Sequence, residues 1–181
     1  MRHVPSAAGF FLLLHAVLAR PVSAQAADVL SQLTGVDVRV RLEGAARDFP
    51  GLDAGELERD IRERLSSAGL QVADVTAGPD AGQAPIFEVL LVMYTDSART
   101  RRYAFSLTAT VTEGVTLRRG EPRRVWAQTW NGPSTVGIVG TDGAGLLRND
   151  VREVVENFVR DYRAAAERER RAGKKEALAP W

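Results

Sequence analysis

The sequence predicts an α+β fold, a two-layer sandwich in which a mainly antiparallel sheet carries two helices packed on one face. Three observations predict it. Strand-period stretches crowd residues 86–130, reading IFEVLLVMY, YAFSLTATVTEGVTL and VWAQTW with short polar turns between them. Helix-period stripes flank that block, Leu57, Ile61 and Leu65 on one side and Leu147 through Tyr162 on the other. The resulting order, β-α-β-β-β-β-α, gathers the strands between two helices that can cover a common core.

In chain order, residues 1–24 have the layout of a secretory signal peptide. Arg2 is followed by the apolar run AAGFFLLLHAVLA, then by the small residues Val22, Ser23 and Ala24. The run is shorter than the ~20 apolar residues a membrane helix needs, so export with cleavage near Ala24 is expected, to the periplasm or beyond. Residues 25–35 are a leader. Residues 36–163 form the domain, and 164–181 are expected to be a charged, flexible tail.

Val36 to Leu42 alternates apolar and polar, the period of a half-buried strand. Asp53 stands where a helix cap belongs, and Glu56 where its capping-box partner would be. Gly69 supplies a left-handed stop. Residues 70–75 read as a short strand parallel to the first, reached by a crossover. Residues 77–85, with two prolines and two glycines, break the chain.

In residues 86–94 both alternating sets are largely apolar, which predicts a central strand covered on both faces. From Tyr103 to Leu117 one parity is apolar and the other is Ala, Ser and Thr, so one face meets the core and the other meets water. A two-residue turn at Arg119-Gly-Glu-Pro122 would pair Val115 with Trp126 and Val111 with Trp130 and bury both indoles. A bulge at Gly114, or a three-residue loop, would turn them outward. Burial is the expectation. Residues 131–145 hold five glycines and read as loop, and the second helix opens near 144–147.

Composition narrows the chemistry. Both histidines, His3 and His15, lie in the leader, and the chain has no cysteine. Removal of the leader takes two arginines, so 24 basic residues become 22 against 23 acidic ones and the net charge moves from +1 to −1. Nucleophilic and acid–base catalysis lean on His and Cys, as do zinc and copper sites. The processed chain has neither, so no catalytic residue, metal or cofactor is assigned and a non-catalytic role is expected. A carboxylate-dependent hydrolase is the enzymatic alternative. A near-neutral chain gives no general argument for nucleic acid.

Three constellations remain as binding candidates. Gly137, Gly140, Thr141, Gly143 and Gly145 lead into a helix N-terminus, where free amides favour anions, although neither a P-loop nor a dinucleotide fingerprint is present. Arginines cluster at two turns, Arg99, Arg101 and Arg102 at one and Arg118, Arg119, Arg123 and Arg124 at the next. They lie at opposite ends of the sheet, and each group suits phosphate or carboxylate, with lipid head groups or acidic partner surfaces as the targets. Trp126 and Trp130, if outward, would make an aromatic stripe for a sugar or peptide.

The exported leader, the strand–helix–strand start, and a meander ending in AQTW before a Gly-rich loop and VREVVENFVRDY resemble small periplasmic proteins of Gram-negative bacteria. In outline the chain is similar to α+β domains of envelope-assembly accessory proteins, such as those of curli secretion or of penicillin-binding-protein activation. That resemblance implies a protein-binding module with another envelope protein as partner. It supplies no site residue, and the lipidated cysteine usual in those proteins is missing here.

Overall fold

The computed structural model describes residues 29–73, 84–95, 101–117 and 121–177, with side chains as far as 172 in the last helix. The signal peptide, Arg99, Arg118, Arg119 and the end of the tail lie outside the described residues.

The chain folds as α+β around a mixed sheet of six strands. β1 (Gly35–Gly44) is followed by a 3-10 turn (Ala45–Asp48) and helix α1 (Ala54–Ser67). Asp53 caps α1, its carboxylate accepting from the Glu56 N–H at 2.8 Å. The Glu56 carboxylate does not close a capping box; it pairs with Arg148. Leu57, Ile61 and Leu65 are buried, one face of the helix as their spacing requires. α1 ends in a Schellman turn: Gly69 sits at φ 93°, the Gly69 N–H bonds the Ser66 carbonyl, and the Leu70 N–H bonds that of Leu65.

β2 (Gln71–Val72) then lies parallel to β1. β3 (Ile86–Thr95) pairs with the other side of β1, also in parallel. β4 (Arg102–Leu117) is antiparallel to β3. Along its far side, β5 (Arg123–Asn131) pairs with one half of β4 and β6 (Thr135–Gly140) with the other. β5 and β6 are thus one edge interrupted at residues 132–134. β6 corrects the expectation of loop from 131 to 145: its glycines masked a Val-Gly-Ile-Val alternation that the neighbouring strand recruits.

Helix α2 (Ala144–Ala177) crosses the same face as α1. Its buried stripe, Leu147, Val151, Val154, Val155 and Phe158, meets Phe87, Val89, Leu91 and Met93 of β3 and Phe105, Leu107, Ala109 and Val111 of β4 in one core. Phe158 packs on Phe87 at 4.8 Å and on Trp130 at 5.0 Å between ring centroids. Burying a ring of this size favours the fold by roughly 1.5–3 kcal/mol. The helix does not stop at Arg163. It continues to Ala177, with Ala165 fully buried, so much of the expected flexible tail is helix.

Coverage of β3 also differs from expectation. Phe87, Val89, Leu91 and Met93 are buried, but Ile86, Leu90 and Val92 on the opposite face are only partly so, and Tyr94 is exposed. Both helices lie on one side. Among the described residues nothing is layered on the other.

Candidate interaction surfaces

One edge of the sheet is closed. Past Val36, no described strand lies on the outer side of β1, where the described part of β2 pairs with only two residues. Glu58 and Arg62, one turn apart on α1, take over that role. The Val40 N–H donates to Glu58 Oε1 at 3.0 Å. Arg62 Nη2 donates to the Val38 carbonyl at 3.1 Å, and Nη1 to the Ala73 carbonyl at 2.8 Å. Arg62 also reaches the carboxylate of Asp37 at 3.5 Å, and Arg39 meets the same carboxylate at 3.2 Å. Asp37 is only 4% exposed, so two guanidinium groups hold a charge that burial alone would penalise.

The opposite edge is open. No described strand pairs with the outer side of β5 or β6. β6 reads Thr-Val-Gly-Ile-Val-Gly and carries no charge, and edge strands are ordinarily protected by charge, proline or cover. Val139 points to the core, while Val136 and Ile138 point to the uncovered face, 75% and 70% exposed. Register places them in rows: Ile138 beside Ala104 and Tyr94, and Val136 beside Ser106 and Val92. Tyr94 is 67% exposed. Three large exposed side chains, from β3 and β6 with β4 between them, therefore share one end of one sheet face, next to an edge that no described strand covers. Towards β1 the same face turns charged, with Arg41 bridged to Glu43 and Glu88.

The tryptophans are split. Val111 pairs with Trp130 as expected, but Gly114, not Val115, pairs with Trp126. Leu117 opposite Arg123 replaces the two-residue turn register, and a bulge between the Val111 and Thr112 pairs restores the expected one at Trp130. Thr129 is the extra residue, its hydroxyl 3.4 Å from the Val111 carbonyl it donates to. Between the two shifts the side chains of β5 face the other way from the expected register, and beyond the bulge they return to it. Trp130 is 3% exposed, stacked on Phe87, with its indole N–H donating to Asp161 at 3.1 Å. Trp126 is 49% exposed and faces outward.

The Gly-rich stretch lies at the opposite end of β4 from Arg123 and Arg124. Gly140 pairs with Arg102 at one end of β4, and Arg123 pairs with Leu117 at the other. Fifteen strand residues separate them, roughly 50 Å at the usual rise. Packing accounts for two of the glycines: a Cβ on Gly137 would come within 2.8 Å of the Phe105 ring, and one on Gly143 would overlap Val139. Gly140, Thr141 and Gly145 form the turn and first residues entering α2. Arg101 and Arg102 are exposed at the Gly140 end, Arg123 and Arg124 at the other.

Between α1 and α2 a cleft of about 260 Å³ is lined by Glu56, Asp60, Glu63, Arg59, Arg148 and Arg152. Its charges largely answer one another, Arg148 with Glu56 at 3.1 Å and Arg152 with Asp60 at 3.5 Å. It reads as a polar seam between helices. Among the described residues no three His, Cys, Asp or Glu side chains gather as a metal site, and no helix is long and apolar enough to cross a membrane. The sequence reading passed over Tyr94, Val136 and Ile138. Their signal was faint, a four-residue alternation inside a glycine-rich stretch and a tyrosine at the end of an apolar strand.

No protein-family model matches the chain, and a search of curated proteins finds no match. Among solved structures it is similar to a minor lipoprotein from Acinetobacter baumannii, at 12% identity and a TM-score of 0.37, covering 75% of this chain and 93% of that one. It is also similar to the rare lipoprotein B from Shewanella oneidensis, at 16% identity and a TM-score of 0.21, covering 78% and 96%. Both of those proteins are described as lipoproteins. A likeness this loose says nothing about what this chain binds.

Proposed function

We propose that this is a non-catalytic, exported protein of the bacterial envelope that works by binding another protein, whose extended strand adds to the outer side of β6. The leader supports export, and the lack of His and Cys beyond it supports contact over bond-making. One observation carries the reading: an uncharged edge strand lies open beside an exposed Tyr94–Val136–Ile138 patch, while the opposite edge is closed by side chains. Strand addition draws affinity from main-chain hydrogen bonds and specificity from alternate side chains. The partner strand is accordingly apolar at every second residue, on the side that continues the Val136 and Ile138 face. The readings as a small-molecule anion site at the Gly-rich loop and as a hydrolase have no comparable observation behind them.

A photo-crosslinking residue placed at Ile138 in the exporting cell tests this, with Arg59 on α1 as control position. The expected result is one adduct with a different protein from position 138, none from 59, and its loss when Val136→Lys is added. An adduct twice the mass of this chain would make the edge a self-association surface instead, and no adduct at all would refute the reading.

A further inference from the structure

The far end of the molecule has a second character, independent of β6. β3 begins at Ile86, opposite Thr112, so residues 113–117 of β4 and 123–127 of β5 run past the body as a two-stranded arm. α2 runs the same way. It opens beside Val139, packs Phe158 against Phe87 and Trp130, and still has Ala165 buried two turns later. Leu117 lies six residues past Val111, about 20 Å along a strand. Ala172 lies fourteen past Phe158, about 21 Å along a helix. Arm and helix end therefore reach about equally far.

What this end exposes is basic and apolar together. Arg123, Arg124, Arg163, Arg168, Arg170 and Arg171 are exposed, against Glu121, Glu167 and Glu169. That surplus sits at one end of a chain whose whole net charge is +1. Trp126 and Arg124 share one face of the arm, with the Arg124 guanidinium lying over Gly114. Leu117, 42% exposed, pairs with Arg123 on the other face. Apolar groups on both faces of a two-stranded tip cannot both press on one rigid protein surface. Both can enter a fluid interface, where indole rings settle at head-group depth and arginines meet phosphates.

We propose that the arm and the end of α2 seat the protein on the surface of a bilayer containing anionic phospholipid, with Trp126 and Leu117 at the interface and the arginines on lipid phosphates. The protein lies on the membrane and does not span it.

The full processed chain, carrying Trp181→Phe so that Trp126 dominates the exposed indole signal, is mixed with vesicles of phosphatidylcholine alone or with added phosphatidylglycerol. Sedimentation with the anionic vesicles only, weakening with salt, and a blue shift of Trp126 emission are expected. Each basic residue near such a surface contributes about a fivefold factor. Arg168→Glu with Arg170→Glu, which leaves the arm untouched, should thus lower binding at least tenfold, and Arg123→Glu similarly, with helical circular dichroism unchanged. Val136→Lys should leave vesicle binding as it was, which separates this surface from β6. Equal binding to neutral vesicles, no binding at low salt, or capture of Trp126 by an acidic protein in place of lipid would each overturn the proposal.

Discussion

Along β1, the outward backbone groups of Val38 and Val40 meet Arg62 and Glu58; along β6, no described strand covers the equivalent row. Both are edges of one sheet, and both would template another strand if left bare. The difference lies in what the chain places next to them. β1 is followed at once by a helix that must return across it, so α1 can carry an acid and a base one turn apart and use both on the edge. β5 and β6 are followed by a helix that runs over the core face and puts no described side chain on their outer side. An edge closed by charged side chains hydrogen-bonded to its backbone is a finished boundary, while an uncharged edge flanked by exposed apolar side chains is a place left for something else.

The largest effect tests what pins the open edge to the body. Trp130 is the buried end of β5, with Phe87, Phe158 and Asp161 around it. Trp130→Ala should cost about 3–5 kcal/mol in urea unfolding, and amides of β5 should exchange faster than those of β1. Trp130→Phe should recover most of that. A loss near zero for the alanine variant would mean that β5 is held by its pairing with β4 alone.

Opening the closed edge comes next. Arg62→Ala leaves Asp37 with only the half-exposed Arg39 and strips two carbonyls of their donor, at a cost of about 2–3 kcal/mol. Glu58→Ala leaves the Val40 N–H without its acceptor, at about 1–2 kcal/mol. Beyond the lost stability, Arg62→Ala should scatter light at concentrations where the parent does not. If it stays monodisperse, the side-chain hydrogen bonds of α1 stabilise the strand without guarding it.

Gly137 connects the open edge to the sequence. Gly137→Ala pushes a methyl at the Phe105 ring and should cost about 1–3 kcal/mol. Gly145→Ala, where nothing lies within 4 Å, should be neutral or slightly stabilising in the same melts. Equal effects at the two positions would undo the packing account of the glycines.

Those glycines show how far the sequence could be read. The layers, the meander, α1 with its Asp53 cap and the core stripe of α2 were legible, because each rests on a period that one sheet face or one helix face imposes. β6 was not. A strand in which glycine alternates with valine and isoleucine has the composition of a loop, and it becomes a strand because Arg102 to Leu107 offers it a ladder. Nor was the placement of the indoles legible. Parity depends on counting every residue between turn and bulge, and the arm takes one residue fewer at its turn and one more at Thr129. The same arithmetic hid Trp126 as an exposed residue. Glu58 and Arg62 stand off the apolar stripe of α1, and nothing local to that helix records that a bare strand edge lies under them.

The smallest effect separates both edges from the titration of the helix layer. Asp150, on α2, has its carboxyl pushed above the ordinary value of 3.8, first by burial and then by the nearby charge of Glu153. A carboxyl raised in the folded state binds its proton there more readily than in the unfolded chain. At neutral pH it is therefore a small liability, and as pH falls through the raised value the folded form gains relative to the unfolded one, until below 3.8 both are protonated and nothing more is gained. Asp150→Asn should consequently be more stable than the parent at pH 7 by about a few tenths of a kcal/mol, the group being largely solvated. The advantage should shrink as acid is added and vanish below the ordinary carboxylate range. Denaturation of parent and variant across that window checks the sign. Neither Val40 N–H exchange at the closed edge nor crosslinking from position 138 at the open one should change with the substitution, and a change at either would show that α2 reaches the edges through its charge as well as its packing.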